Sequence, residues 1–149
     1  MEDAIFTDVP YLICFVSCDG NYQDEYFDEI CKQYPEVKRA YSQMCEKYPN
    51  KHQLIGLTKQ TVVRNKKTKN KYQIVLAFSK INKDNTYIDY DGLKESLWYI
   101  HDHYPMAAFY KRPVYNNFDK EDKRKINLLI DAIFCDRAVK VYQEESVCG

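Results

Sequence analysis

A chain of 149 residues is long enough for one domain with a packed core, and its 22 basic residues balance 22 acidic ones, so no global charge draws it to nucleic acid or to an anionic membrane. No apolar stretch approaches the ~20 residues of a membrane span, and the start Met1-Glu2-Asp3 lacks a basic, then apolar leader pattern. Six cysteines without such a leader, none in a C-x-x-C pair, are expected to be reduced thiols in an intracellular protein.

Met1–Val9 mixes polar and apolar residues and suits an edge segment. Tyr11–Ser17 opens with the apolar run YLICFV, the length of a buried strand. A turn at Cys18-Asp19-Gly20-Asn21 leads to a helix over Asp24–Tyr34, with Tyr26, Phe27, Ile30, Cys31 and Tyr34 at helical spacing and Pro35 as its stop. A second helix fits Glu36–Tyr48, with Val37, Tyr41, Met44 and Tyr48 on one face and Pro49-Asn50 behind it. Leu54–Leu57 runs into the β-branched stretch Gln60–Arg64. Asn65–Asn70, NKKTKN, is a polar turn, and Tyr72–Phe78 is a buried strand, so the two runs form a hairpin. Ser79–Tyr87 reads as a loop.

Asp89 or Asp91 can cap a helix to about Tyr104 that puts Leu93, Leu97 and Ile100 on one face, and Pro105 ends it. A short strand over Met106–Tyr110 and a polar, aromatic loop over Lys111–Asp122 follow. A helix over Lys123–Phe134, with Ile126, Leu129, Ile130 and Ile133 inward, precedes a last strand over Ala138–Gln143, and Gln143–Gly149 is expected to fray. No repeat or low-complexity linker divides residues 1–149, which read as a single domain. The order β-α-α-β-β-α-β-α-β predicts an α/β three-layer sandwich, a mixed sheet with helices on both faces.

A strand, a tight loop and a helix form the layout in which α/β proteins hold phosphates. Here Gly20 is the one glycine of that loop, and Asp24 and Glu25 bring negative charge to the helix entrance, so the geometry suggests a nucleotide while the charge opposes one. His101-x-His103 ends a helix, where residues two apart point away from each other, so the pair cannot chelate a metal; no metal or cofactor is expected. Cys14 and Cys18 flank the end of the first strand, Cys31, Cys45 and Cys135 fall on or beside apolar faces, and all five read as buried, inert thiols. The basic run Arg64–Lys71 reads as a solvated hairpin tip that blocks edge pairing; phosphate contact is the sharper alternative, weakened by the lack of aromatic residues within the run. Lys80, just past a buried strand, and Asp119, just before a helix, lie on loops that should open at the strand C-terminal edge where α/β folds bind ligands, although a lone lysine and aspartate on loops are more often surface charges. A lysine against apolar surface can attack a sugar aldehyde carbon, and a carboxylate beside it can shuttle protons.

Several stretches together resemble the macrodomain family, the α/β sandwich that binds ADP-ribose. LICFVSCDG followed by Tyr34-Pro35 matches the spacing of the family's first strand, glycine loop and helix. Lys32-Gln-Tyr-Pro-Glu-Val37 resembles its K-K-Y-P-x-V, Leu54-Ile-Gly-Leu57 its L-L-G-T, Tyr90–Leu97 its Y-x-x-L-x-x-S/A-L helix, and Ile126–Phe134 with Val139–Tyr142 its last helix and V-x-V-Y strand. The resemblance spans nearly the whole chain, nearest the terminal ADP-ribose protein glycohydrolase branch. It implies Lys80 as nucleophile on the distal ribose, Asp119 as its acid–base partner and Asp3 as the adenine contact. The positions matching the two phosphate loops would supply the other ligand contacts: Ser17, Gly20, Asn21, Tyr22, Asn116, Asn117 and Phe118.

The loops depart from the family pattern. Gly20–Phe27, GNYQDEYF, stands for G-x-M-G-x-G-[IL]-A; Pro113–Phe118, PVYNNF, stands for G-x-G-x-G; and Ser17 stands for an asparagine. Glycine lets backbone N–H groups approach a diphosphate, and bulky or acidic residues obstruct it. Two functions are therefore expected. One is recognition of ADP-ribose or an ADP-ribosylated protein, with ester hydrolysis through Lys80 and Asp119. The other is an inactive macrodomain relic whose aromatic cleft binds a protein partner. No membrane partner is expected and a nucleic-acid partner is not favoured; the lysine-, asparagine- and tyrosine-rich composition suits an A/T-rich genome, such as a viral one.

Overall fold

The apolar run at Tyr11–Ser17 becomes the middle strand of the sheet. The computed structural model describes residues 9–20, 25–80, 89–113 and 118–143. Along them lie β1 (Tyr11–Ser17), α1 (Glu25–Gln33), α2 (Pro35–Lys47), α3 (Lys51–Leu54), β2 (Thr58–Arg64), β3 (Lys71–Lys80), α4 (Tyr90–His103), β4 (Ala108–Lys111), α5 (Lys120–Ile133) and β5 (Val141–Gln143). The strand order is β2-β3-β1-β4-β5. β1 pairs parallel with β3 and β4, β4 pairs parallel with β5, and β2 pairs antiparallel with β3. The sheet is mixed and layered between helices, as the α/β sandwich reading requires.

β1 is apolar on both faces because both faces are covered. Leu12, Cys14 and Val16 pack with Phe27 and Ile30 of α1, Val37 and Tyr41 of α2 and Leu54 of α3. Ile13 and Phe15 turn the other way, to Leu93, Leu97 and Ile100 of α4 and Ile126, Ile130 and Ile133 of α5. The period-2 alternation of the strands and the 3.6 period of the helices thus meet at two core layers, one on each side of the sheet.

The boundaries differ from the sequence reading where a cap or a pairing decides them. Pro35 does not only stop α1. It opens α2, where its missing N–H leaves no bond unmade. Asn50 caps the short α3 that the sequence reading passed over, its side chain accepting from His52 N at 3.0 Å. β3 continues through Ser79 to Lys80, because Ser17 pairs with Lys80 beyond a register shift between Val16 and Ser17. α5 begins at Lys120, since Asp119 caps it, and β5 is only Val141–Gln143.

At the far ends of α4 and α5 a charged cluster holds the helices together. His101 Nδ1 lies 2.8 Å from Asp102 Oδ1, its Nε2 lies 3.0 Å from Asp136 Oδ1, and Arg137 donates to the His101 carbonyl at 3.0 Å. Asp102 first and Asp136 second hold the imidazole protonated above its usual 6.5. A raised histidine pKa stabilises the fold below the unfolded value, and that contribution fades as pH rises through the folded value. The partner Asp136 is shifted down by the same bond, so its contribution is lost only in acid, below its usual 3.8. The expected result is that His101→Gln lowers the melting temperature at pH 5.5, between those two limits, and that the deficit shrinks as the pH is raised well past 6.5. Parallel melts of both proteins across that range check it.

Candidate functional site

Each parallel strand that leads into a helix does so at the same edge of the sheet. β1 ends at Ser17 ahead of α1, β3 at Lys80 ahead of α4, and β4 at Lys111 ahead of α5. Strand C-termini and helix N-termini therefore gather along one crevice, the usual ligand edge of α/β sheets. Ser17 and Lys80 sit opposite each other in the β1–β3 register, so the fold brings these two sequence-predicted positions side by side along the backbone.

The turn after β1 is tightly built. Ser17 is fully buried; its Oγ donates to Asp19 Oδ1 at 2.8 Å and accepts from Asp19 N at 3.2 Å. Gly20 follows at φ +80°, the left-handed region in which a side chain is strained. A Cβ there would touch Cys45 Cβ at 3.6 Å, ordinary contact, so the demand for glycine is conformational rather than steric. Cys18 is buried beside this turn, and burial first, then the nearby Cys45 and Asp19, push its thiol up to about 12. Burial likewise raises Cys31 to about 11 and moves Cys45 upward. These thiols stay protonated and are poor nucleophiles at neutral pH. Cys135 is exposed rather than packed on an apolar face.

The α1 side of the crevice is aromatic and acidic. Tyr26 meets Tyr110 edge-on at 5.9 Å, and Lys111 Nζ stands 5.1 Å from the Tyr26 ring centre. Glu25 and Asp28 occupy the first turn of α1, where a phosphate would otherwise find a favourable dipole. On the other side, Asp119 is the N-cap of α5 and accepts from Asp122 N at 2.8 Å. Phe118 is 8% exposed and belongs to the α4–α5 core layer. Tyr90, the first residue of α4, donates its phenol to Asp122 Oδ1, and Lys125 Nζ stands 5.9 Å from the Tyr90 ring. Burial and this carboxylate hold the Tyr90 hydroxyl protonated well above its usual range. Arg112 bonds Asn127 Oδ1 at 3.1 Å and fastens the end of β4 to α5.

The sequence reading did not find the Tyr90–Asp122 and Tyr26–Lys111 contacts. The first joins residues 32 apart and the second spans the chain from α1 to β4, so neither leaves a local pattern. The expected ligand contacts Asp3, Asn21, Tyr22, Asn116 and Asn117 lie outside the described residues. Among the described residues no group of His, Cys, Asp and Glu is placed to hold a metal, and no helix is long and apolar enough to cross a membrane.

No family model matches the sequence, and no curated protein matches it. The fold does find relatives among solved structures. The macrodomain of Mycobacterium tuberculosis DarG aligns over 97% of this chain and 93% of its own, at 17% identity and a TM-score of 0.66. Thermosipho africanus DarTG in complex with ADP-ribose aligns over 99% of this chain and 40% of its own, at 13% identity and a TM-score of 0.73. A macrodomain protein from Streptomyces coelicolor aligns over 94% and 90%, at 12% identity and a TM-score of 0.67. At such identities the likeness is one of backbone, and it extends almost from end to end: the chain has the macrodomain fold.

Proposed function

We propose that the crevice at the C-terminal ends of β1, β3 and β4 binds ADP-ribose or an ADP-ribosyl group on a protein, and that Lys80 and Asp119 release it from a carboxylate ester. One observation carries the reading: Ser17, Lys80 and the capped start of α5 at Asp119 gather at a single edge of a macrodomain fold, and a solved protein of that fold holds ADP-ribose. In the reaction the Lys80 amine attacks the anomeric carbon of the distal ribose as the bond to the protein carboxylate breaks. Asp119 takes up the proton the amine gives up, and water then frees the sugar from the lysine.

The acidic start of α1 and the Tyr26–Tyr110 wall favour a second reading, an aromatic cleft that seats a protein partner without ADP-ribose. Calorimetric titration with ADP-ribose separates the two. The expected result is saturable heat that Gly20→Val weakens more than about tenfold, because a β-branched residue at that left-handed position costs ~1–2 kcal/mol and moves the turn that would face the diphosphate. No heat and no NMR shifts at millimolar ADP-ribose would leave only the protein-binding reading.

A further inference from the structure

The β2–β3 edge carries a charge that the rest of the chain lacks. From Lys47 to Lys80 the sequence has nine lysines and arginines and no aspartate or glutamate, in a chain of zero net charge. The fold puts Arg64, Lys66, Lys67, Lys69 and Lys71 around one exposed hairpin turn at the end of the edge strand. The turn is a fixed frame. Asn65 is 1% exposed, and its Oδ1 accepts from Lys67 N at 2.8 Å and Thr68 N at 3.0 Å. Its backbone bonds Asn70 O and Lys69 N, and Arg64 donates to the Lys69 carbonyl at 2.7 Å.

Protection of a sheet edge accounts for cations on β2, but not for the surface beside them. Val62, Gln73 and Tyr11 stand in one row across β2, β3 and β1. Val63 belongs to the α1–α2 core layer, so Val62 points to the other face, where it is 55% exposed. A cavity of about 310 Å³ opens there, lined by Pro10, Tyr11, Val62, Lys71, Tyr72 and Gln73. The aromatic row continues onto α4: Tyr11 lies 4.9 Å from Tyr104, Tyr104 lies 5.9 Å from Tyr99, and Tyr99 stacks on His103 at 3.9 Å. Gln73 Oε1 is buried with no hydrogen-bond partner among the described residues. The basic run contains no aromatic residue of its own; the fold brings the β1 and α4 rings to the face beside Lys71, while Lys66 Nζ stands 5.5 Å from the Tyr34 ring on the other face.

We infer that this face binds single-stranded nucleic acid. The hairpin cations meet phosphates, and the exposed Tyr99 and the Tyr11 ring offer faces to bases. A charged groove flanked by aromatic faces is the general recipe for single strands. An acidic peptide would use the cations but has little use for the ring row. The face lies at the N-terminal ends of β1 and β3, at the opposite edge from the ADP-ribosyl crevice, and does not depend on that reading.

Fluorescence anisotropy of a labelled oligothymidylate of about 12 nucleotides tests it. The expected result is saturable binding at about 50 mM salt that weakens steeply toward about 200 mM. The triple variant Lys67→Gln/Lys69→Gln/Lys71→Gln should bind at least about tenfold more weakly, with the log–log salt slope reduced by about 2 for three lost phosphate contacts. Tyr99→Ala should lose at least about fivefold with the slope unchanged. Its melting temperature and that of the triple variant report that both still fold. Absence of saturable binding at low salt, or affinity untouched by the triple variant, would overturn the inference. So would polyglutamate displacing the probe as well as unlabelled oligonucleotide does, or displacement by ADP-ribose.

Discussion

Phe78→Ala is expected to cost about 3–5 kcal/mol, a large share of the roughly 5–15 kcal/mol that holds a domain of this kind together. Phe78 is fully buried and lies in the β3 core row opposite Val16. Its ring stacks on Tyr41 of α2 at 5.9 Å and 8°, so truncation opens a cavity between sheet and helix that neither can close alone. The backbone there is already committed, Phe78 N donating to Leu57 O at 3.0 Å and Phe78 O accepting from Gly56 N at 2.8 Å. The melting temperature should fall by roughly 6–20 °C. Leu128→Ala, at a side chain 53% exposed on α5, should leave it nearly unchanged, and the two melts together check that the loss comes from packing.

Asp119 allows a sharper experiment because its observed role as a cap and its proposed role in the reaction can be separated. As N-cap it accepts the Asp122 N–H at 2.8 Å, and asparagine performs that task about as well as aspartate. As the proposed acid–base partner it needs an ionisable carboxyl, which asparagine lacks. Asp119→Asn should therefore keep the fold within a few tenths of a kcal/mol while release of ADP-ribose from a glutamate-modified protein falls about 10²–10⁴-fold. Asp119→Ala should lose the same turnover and about 1 kcal/mol of stability besides. Lys80→Ala should abolish release altogether. If Asp119→Asn turns over normally, Asp119 is a cap and nothing more.

Most of the fold was legible in the sequence because each element advertises its own burial. β1 and β3 are apolar on both faces, and α4 and α5 carry an inward stripe at helical spacing. Asp89 behaves as the reading asked, accepting from Gly92 N at 2.8 Å. What escaped was decided by distant partners. The extension of β3 to Lys80 depends on pairing with Ser17, and the start of β5 at Val141 depends on pairing with Phe109. For the crevice, the order of elements was enough to bring Ser17, Lys80 and Asp119 to one edge. The use of the Asp119 carboxylate as a cap could have been read from Glu121 and Asp122 behind it, acids that suit a first helical turn. The Tyr90–Asp122 bond and the ring row from Tyr11 to Tyr99 could not have been, since each is made only when separate elements pack.

The central place of β1 also bears on how the chain is made. Leu12 pairs with Ile74 on one side and with Ala108 on the other, so during synthesis β1 waits for neighbours that come much later. At about 5–20 residues per second, the partner on the β4 side emerges roughly 5–20 s after β1. Until β3 follows, an almost wholly apolar strand has both edges unpaired, and until β4 follows it keeps one edge open, while α1 and α2 can cover only one face. Sheets closed by such distant pairings form slowly, and for this chain the hazard of misassembly falls on the growing N-terminal half rather than on the finished domain.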